Sequence, residues 1–310
     1  MVEHAWFFLA MVGPFLYALT NHIDKTLLEK HFKEDGVMVL LIYSAVLALM
    51  LVPVAYFMDT TVLSVSYHHM LVLAGVAVLD VVMLWAYLMA MEDDEPTVVI
   101  VYYQLVPVLA LLFGYVVLDE VISSHQFFAM VVVIAGASLM SFRMIEGEFV
   151  FKKRTAGYML LGCSLWALEG VIFKKVALEE NVWRSAFWEH LALGVLGFGI
   201  FLIPKYRKSF LKQYREKSKA VLGFSALNEA LYMTGNVAVA FASLLAPVAL
   251  VMLANAYQPI FVMGIGILLA IFLPKFATEK IDRGHILQKL VAIVISGAGT
   301  YMLLSSGVEV

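Results

Sequence analysis

Charged residues are scarce in this chain of 310 residues, at 15% of the total. An ordinary soluble protein carries about 25%. Hydrophobic residues instead make up 63% of the chain. A soluble globular class is therefore excluded, because a chain this apolar must bury its surface in lipid. The formal net charge of −3 at pH 7 gives no indication of a nucleic-acid partner, and we expect none.

Cysteine and the common catalytic motifs are nearly or wholly absent. Cys163 stands alone, which excludes an internal disulfide and says nothing of the redox compartment. The sequence contains no G-x-x-x-x-G-K-[ST] phosphate loop, no H-E-x-x-H zinc motif and no G-x-S-x-G nucleophile elbow. We therefore expect no enzymatic activity, no cofactor and no bound metal. An intramembrane enzyme that uses Glu229 and Asp80 as an acid–base pair is the one catalytic alternative.

The alternation of polar and apolar residues that marks membrane β-strands is also missing. Runs such as VMVLLIYSAVLALMLVPVAYF are apolar throughout, which predicts helices. A helix needs roughly 20 mostly apolar residues to cross a bilayer. Ten such windows occur, at residues 5–22, 36–57, 68–91, 97–118, 124–142, 155–176, 184–203, 220–241, 246–272 and 286–305. The predicted fold is an all-α integral membrane protein with ten transmembrane helices.

Lys and Arg are concentrated in one of the two sets of connecting loops. This set comprises the loops 22–35, 143–154, 204–219 and 273–289, with the Lys-free loop 92–96. Short loops rich in Lys and Arg stay in the cytoplasm. The distribution predicts a multi-pass protein of the cytoplasmic membrane with both termini outside.

The sequence repeats itself. LYALTNHIDK at 16–25 aligns with LWALEGVIFK at 165–174, and YQLVPVLALLFG from Tyr103 aligns with YQPIFVMGIGIL from Tyr257. We predict two halves of five helices each, residues 1–145 and 146–310. Because five is odd, the second half crosses the membrane in the opposite sense. Inverted repeats of this kind occur in many secondary transporters, with the substrate site at the midplane between the halves.

These features resemble the EamA family of the drug/metabolite transporter superfamily. The resemblance is carried by the five-plus-five arrangement, the Y-Q-x-x-P pattern of the fourth span, and LDEVISSHQFFAMVVVIAGASLMS, which contains Glu120, Gln126 and Gly136. It implies a proton- or gradient-driven carrier, often an exporter, of small metabolites or amphipathic drugs. Many relatives carry an Arg early in the second helix, where this chain has Tyr43, and the matching helix of the second half has Glu189 and His190. That departure weakens any expectation of a carboxylate substrate.

The eighth predicted span is polar along one face only. Helical spacing places Ser225, Asn228, Glu229, Tyr232, Gly235 and Asn236 together, whereas the opposite face is apolar. A one-sided stripe faces protein or water rather than lipid. The first span carries a matching stripe of Gly13, Tyr17, Thr20, Asn21 and Asp24, and the sixth carries Gly162, Trp166, Glu169, Gly170 and Phe173.

Acidic residues near the middle of membrane spans are the strongest candidates for a site. Ionised Asp or Glu at the bilayer centre costs about 2.5–3.5 kcal/mol by insertion scales, so such residues are functional by default. The repeat places Asp80, with Tyr87 two turns later, opposite Asn228 and beside Glu229. We predict that Glu229 and Asp80 couple transport to protons. The structural alternative is that these acids only fix the packing of helices through hydrogen bonds.

Prolines interrupt the fourth and ninth spans beside polar side chains. Pro107 follows Tyr103 and Gln104, and Pro259 follows Asn255, Tyr257 and Gln258. A proline inside a span kinks the helix and frees a carbonyl group. We expect at least one of the two tyrosines in the cavity. A packing kink without any contact to substrate is the alternative.

Together these patterns predict a secondary active transporter that moves a small metabolite or amphipathic compound by alternating access. It is expected to be an exporter, with proton coupling. A passive facilitator of the same fold and a non-transporting scaffold or receptor are the alternatives, and a homodimer is left open. The residues predicted to bind substrate are Glu229, Asn228, Tyr232, Asn236, Asp80, Tyr87, Thr20, Asn21, Trp166, Glu169, Tyr103, Gln104, Tyr257 and Gln258.

Overall fold

A computed structural model describes residues 4–28, 36–93, 99–141, 152–216, 219–272 and 286–305, which form helices joined by turns. Within these residues there is no strand. The α-helices are α1 (Ala5–Thr26), α2 (Gly36–Leu47), α3 (Leu51–Met58), α4 (Tyr67–Asp93), α5 (Val106–Leu118), α6 (Ser124–Ser141), α7 (Lys153–Glu180), α8 (Val182–Leu202), α9 (Pro204–Glu216), α10 (Lys219–Ser243), α11 (Val248–Met252), α12 (Gln258–Phe272) and α13 (Ile286–Ser305).

All ten predicted spans fall on helical segments, which confirms an all-α membrane fold. Five segments of the described residues are long and apolar enough to cross a membrane: Ala5–Thr26, Gly36–Met58, Tyr67–Asp93, Lys153–Glu180 and Val248–Leu269. Val182–Phe201 together with Pro204–Arg215 is a sixth candidate, bent by 99°. Ten membrane crossings therefore stay a prediction. So do the two halves, whose predicted join at 143–155 lies outside the described residues as far as residue 151.

The first helix is longer than its apolar run predicts. Helix α1 continues to Thr26, so Asp24 and Lys25 are buried rather than part of a loop at 22–35. The Lys25 ammonium donates a hydrogen bond to the Met91 carbonyl oxygen at 2.9 Å, near the end of α4. Buried polar partners allow the helix to carry charged side chains past the point where the hydropathy falls. The rest of that loop, 29–35, lies outside the described residues, as do 94–98 and 273–285.

The fourth and ninth spans each change their winding just before a proline. Residues Ile100–Leu105 and Leu253–Tyr257 form 3₁₀ turns, and α5 and α12 follow, each with its proline in second position. Proline has no N–H and its ring crowds the carbonyl group four residues earlier. The preceding turn therefore tightens. The predicted interruption at both prolines is confirmed.

The basic segment at 204–219, expected as a loop, instead begins with a helix. Helix α9 covers Pro204–Glu216 and turns sharply away from α8. Phe210 attaches α9 to the helix bundle, with its ring 4.5 Å from that of Tyr43 and 5.4 Å from that of Phe201. Its basic residues are outward-facing, as in a helix that lies at a membrane surface.

Three pairs of helices pack closely: α1 on α10, α4 on α7, and α6 on α13. Glycines let α1 and α10 approach each other. A Cβ atom on Gly235 would lie 2.7 Å from Tyr17 Cε1, and one on Gly13 would lie 2.5 Å from Val239 Cγ2. Small residues allow this closeness where two membrane helices meet. The Tyr17 ring therefore lies directly against the α10 backbone.

Two polar joints connect distant parts of the chain near the helix ends. In the first, the Glu120 carboxylate accepts hydrogen bonds from Lys174 and from the Val248 N–H at 2.8 Å. In the second, Asp59 accepts hydrogen bonds from Thr61, from Asn181 Nδ2 at 2.9 Å and from Arg184 Nε at 3.0 Å. Donation by the Thr61 hydroxyl, then by Asn181, lowers the pKa of Asp59.

Candidate functional site

A cavity lies where α1, α4, α7 and α10 meet, and we call it the main cavity. The space free of protein atoms there, including space open to solvent, is about 610 Å³. Its lining is Tyr17, Thr20, Asn21, Asp24, Leu40, Ser44, Met83, Leu84, Tyr87, Leu88, Tyr103, Trp166, Asn228, Glu229, Tyr232 and Gln258. The polar stripe of α10 faces into the bundle, since Asn228 and Glu229 are buried whereas Leu227 is 49% exposed.

A hydrogen-bond network around Asp24 connects three helices at one end of the main cavity. Asn228 Nδ2 donates to Asp24 Oδ1 at 2.7 Å. The Tyr87 hydroxyl lies 3.1 Å from Asp24 Oδ2 and 3.0 Å from Asn21 Oδ1, so it can donate to either oxygen. The carboxylate thus has a donor on each oxygen. Such pairing is what a buried carboxylate needs in order to keep its charge.

Glu229 and Asp80 lie on either side of a small adjoining cavity. That cavity holds about 280 Å³ and is lined by both acids together with Ser44 and Tyr232. The Ser44 hydroxyl hydrogen bonds to the Glu229 carboxylate, and the Tyr232 hydroxyl lies 3.5 Å from Asp80 Oδ1. Asp80 therefore lies beside Glu229, as the repeat predicts, but behind the wall of the main cavity.

Aromatic rings form one wall of the main cavity. The Tyr17 ring centroid lies 5.7 Å from that of Trp166 and 5.5 Å from that of Tyr232, and Tyr103 lies 5.0 Å from Trp166. The Tyr17 hydroxyl donates to Asn236 Oδ1. This contact and the glycine backbone of α10 hold the Tyr17 ring in place. We refer to Tyr17, Trp166 and Tyr232 as the aromatic wall.

A second cavity lies on the other side of the aromatic wall. Its space free of protein atoms, including space open to solvent, is about 580 Å³, and α1, α7, α8, α10 and α11 contribute to its lining. Its polar residues are Glu169, Glu189, His190, Asn236 and Ser243, all on the second half of the chain. Tyr17 and Trp166 border both cavities.

Several buried amide atoms in the main cavity have no hydrogen-bond partner among the described residues. They are Asn21 Nδ2, Asn228 Oδ1 and both polar atoms of the Gln258 side chain. An unsatisfied buried polar group costs about 1–3 kcal/mol. Gln258 is fully buried yet borders the cavity. These atoms leave both donors and acceptors available to a polar ligand or to water.

The structure brings most of the predicted binding residues to a cavity. Nine line the main cavity: Thr20, Asn21, Tyr87, Tyr103, Trp166, Asn228, Glu229, Tyr232 and Gln258. Glu169 and Asn236 line the second cavity, and Asp80 lines the small one. Binding of substrate by these residues stays a prediction.

Gln104 and Tyr257 contact helices rather than these cavities. Gln104 Nε2 lies 3.4 Å from the Ala256 carbonyl oxygen, and the Tyr257 hydroxyl lies 3.4 Å from the Ser296 carbonyl oxygen. Both side chains lie in 3₁₀ turns, where successive residues turn through a larger angle than in an α-helix. Only Tyr103 and Gln258 of these neighbouring pairs therefore reach the main cavity.

Asp24, Tyr17 and Ser44 line the main cavity but were absent from the predicted binding set. Helical spacing already placed Asp24 and Tyr17 in the polar stripe of the first span, but neither was included among the predicted binding residues. Ser44 gives a weaker signal, because a single hydroxyl in an apolar helix commonly bonds to its own backbone.

The described residues contain no group of three or more His, Cys, Asp or Glu side chains that could hold a metal ion. The Cys163 thiol is also occupied, because it is buried and donates a hydrogen bond to the Tyr102 carbonyl oxygen at 3.3 Å. The cavities therefore offer carboxylates, amides, hydroxyls and aromatic faces to a ligand.

Comparison with known proteins finds one family match and a shared fold. No curated protein matches the chain. A solved crystal structure that is 13% identical covers 97% of this chain and 96% of its own, with a TM-score of 0.62, which shows the same fold. Residues 4–142 match the model of the EamA-like transporter family, part of the drug/metabolite transporter superfamily.

Proposed function

We propose that the protein is a secondary active transporter that carries a small polar or amphipathic compound through the main cavity by alternating access. One observation carries the proposal: a cavity between the helices contains two carboxylates and amide atoms that have no partner among the described residues. Many secondary transporters bind substrate between their helices near the membrane midplane. The match of residues 4–142 to a transporter family points away from enzymatic activity.

The lining of the main cavity favours a neutral or cationic substrate. None of the described residues that line it is a Lys or an Arg, whereas Asp24 and Glu229 are acidic. A carboxylate substrate would meet these acids without a basic partner. The aromatic wall and Tyr103 offer faces for an apolar or planar portion, and for cation–π contact.

Proton coupling through Glu229 and Asp80 follows from their shared surroundings. Both are buried and border one small cavity, so two negative charges there would repel each other. Holding a proton on one of them relieves this repulsion. Binding of a cationic substrate and binding of a proton therefore compete, which is the requirement for exchange.

Two alternative functions predict different roles for the acids or a different packing of the central helices. A passive facilitator uses the same cavity with Asp24 and Glu229 as fixed structural acids, and the hydrogen bonds to both carboxylates are the observation in its favour. A non-transporting scaffold expects the central helices to pack without a cavity, so the main cavity tells against it.

The membrane orientation is part of the proposal. Helix α9 carries Lys205, Arg207, Lys208, Lys212 and Arg215, and positively charged segments remain on the cytoplasmic side. The protein then lies in the cytoplasmic membrane with both termini on the outer side. The main cavity borders the ends of α1 and α4 on the α9 side, which supports loading from the cytoplasm and export.

The test begins with a thermal-shift screen of the full-length protein against metabolite and drug collections at two pH values. A ligand that stabilises the protein, and whose effect disappears in Asn228→Ala, identifies the main-cavity substrate. Its flux is then measured in proteoliposomes with and without an imposed pH gradient. The control is Thr234→Ala, on the exposed face of the same helix, where the hydroxyl bonds only to the Ala230 carbonyl oxygen.

We expect flux of that ligand to follow the pH gradient, and Glu229→Gln to abolish this dependence. Flux that ignores the gradient in the wild-type protein would establish the passive facilitator. Unchanged transport and unchanged pH dependence in Glu229→Gln would contradict a role of Glu229 in proton coupling.

A further inference from the structure

The second cavity is lined by a set of groups that the proposed transport cycle does not use. Glu189 and His190 come from α8, and Glu169 comes from α7. Each is buried, with 6%, 5% and 9% of its surface exposed, respectively. The aromatic wall separates this set from Asp24 and Glu229.

The second cavity presents several hydrogen-bond acceptors. Glu169 Oε2 has no hydrogen-bond partner among the described residues, although it is buried and borders the cavity. His190 Nδ1 lies 3.0 Å from the Ala186 carbonyl oxygen, which can only accept, so Nδ1 carries the proton. The other ring nitrogen, Nε2, is then an acceptor in the neutral ring.

Of the remaining polar side chains of the lining, Ser243 acts in the same direction, whereas Asn236 does not. Ser243 uses its hydroxyl proton on the Ala240 carbonyl oxygen at 2.7 Å, which leaves its oxygen lone pairs as acceptors. The Asn236 carbonyl oxygen is occupied by the Tyr17 hydroxyl. A ligand that suits this cavity must therefore supply several N–H or O–H donors.

The acidic residues of the second cavity favour a cationic ligand. Glu169 and Glu189 are two buried acids in one cavity, where two negative charges would repel each other. None of the described lining residues is a Lys or an Arg. The nearest lysine on α7, Lys174, is bound to Glu120 and to the Ala246 carbonyl oxygen at 2.9 Å, outside the lining.

The aromatic and aliphatic part of the lining accommodates an apolar part of the ligand. Tyr17, Trp166 and Phe173 border the acceptors, and Val182, Val239 and Met252 complete the surface. A positive charge next to aromatic faces gains cation–π stabilisation, about 2 kcal/mol or more where water is excluded. Among the described residues no cluster suits a metal ion, so the favoured cation is organic.

We propose that the second cavity is a binding site for a primary organic ammonium ion with an aromatic or apolar body, held by Glu169, Glu189 and His190. The ammonium supplies three donors to the carboxylates and to His190 Nε2. The aryl group lies against Trp166 and Phe173. This site is separate from the main cavity, so it does not depend on the proposed substrate path.

The test uses the full-length protein in lipid nanodiscs and isothermal titration with 2-phenylethylammonium chloride near neutral pH. We expect Glu169→Gln and Glu189→Gln each to weaken binding at least about tenfold, since a charge-assisted hydrogen bond contributes that much. The matched control is Glu179→Gln, an exposed acid on α7. The N,N,N-trimethyl analogue, which lacks N–H donors, should bind more weakly than the primary ammonium ion.

A second pair of measurements distinguishes this site from the main cavity. Glu229→Gln and Asn228→Ala should change the affinity for the ammonium ion less than about threefold, a small effect on the binding free energy. Loss of binding in Glu229→Gln with normal binding in Glu189→Gln would move the cation to the main cavity and overturn the proposal.

Absence of any titration heat in a folded wild-type sample would also overturn it. Folding of every variant is checked by its elution volume and its unfolding temperature. The main-cavity ligand is titrated into the same samples. Failure of the ammonium site therefore leaves the proposed transport function standing, and the reverse also holds.

Discussion

At the residue scale, Asn228 holds the buried Asp24 carboxylate through a hydrogen bond of 2.7 Å. We predict that Asn228→Ala destabilises the folded protein by about 1–3 kcal/mol, because it leaves a buried carboxylate oxygen without its donor. The unfolding temperature in detergent measures this. Thr234→Ala on the exposed face of α10 is the control and should change little. Equal unfolding temperatures for the two variants would contradict the assigned role of Asn228.

The hydroxyl of Tyr87 and the amide of Asn228 meet at the same carboxylate, Asp24. We predict that Tyr87→Phe and Asn228→Ala are not additive, with a coupling energy of about 0.5–3 kcal/mol. The measurement is a double-mutant cycle of unfolding free energies. Additive effects would mean that Tyr87 donates to Asn21 instead, the other oxygen within reach.

At the scale of elements, the contact between α1 and α10 depends on Gly235. An added Cβ would lie 2.7 Å from Tyr17 Cε1, so we predict that Gly235→Ala destabilises the protein by about 1–3 kcal/mol through overpacking. Gly223→Ala on the same helix is the control, because nothing lies within 4 Å of its Cβ position. It should be neutral or stabilising, since Ala favours a helix by up to about 1 kcal/mol. Destabilisation by Gly223→Ala but not by Gly235→Ala would refute the packing.

Phe210 is one point at which helix α9 attaches to the bundle. Phe210 packs on Tyr43 and Phe201, so we predict that Phe210→Ala loosens α9 without unfolding the bundle. Trypsin cleavage within Pro204–Glu216 should then be faster, because local opening exposes the Lys and Arg bonds. Leu211→Ala, at a position 37% exposed, is the control and should leave the cleavage rate unchanged. Equal rates for the two variants would show that α9 is attached elsewhere.

At the scale of the whole molecule, Asp59 joins the α3–α4 connection to the start of α8. Its pKa is lowered in the folded protein, chiefly by the Thr61 hydroxyl. The joint therefore contributes its full stability above the unfolded pKa near 3.9 and loses it as the pH falls further. We predict that Asp59→Asn lowers the unfolding temperature near pH 7 and that the difference shrinks below about pH 4. A difference that is independent of pH would contradict this assignment.

The fold was predictable because long apolar runs and a one-sided polar stripe on α10 are local features of the sequence. The ends of the helices were harder to predict from the sequence. Asp24 and Lys25 resemble loop residues until their partners on α4 and α10 are known, and basic α9 resembles a loop until Phe210 is seen to pack. The 3₁₀ turns, which take Gln104 away from the cavity, arise from prolines in a specific packing.

The predicted repeat stays a prediction, but one pair of contacts supports it. Lys25 and Lys174 occupy equivalent places in the two aligned segments. Each is buried and donates to a backbone carbonyl group, that of Met91 near the end of α4 and that of Ala246 just after α10. The second cavity, by contrast, arises only where α7, α8 and α10 come together, which no local pattern reports.

The aromatic wall has an electrical consequence. If the two cavities open to opposite sides of the membrane, the membrane voltage falls mainly across Tyr17, Trp166 and Tyr232. Moving one elementary charge through 100 mV changes its energy by about 2.3 kcal/mol. Glu169 on one side and Glu229 on the other would then lie at different potentials, although only a few side chains separate them. A cation bound at Glu169 would therefore respond to voltage differently from one bound at Glu229.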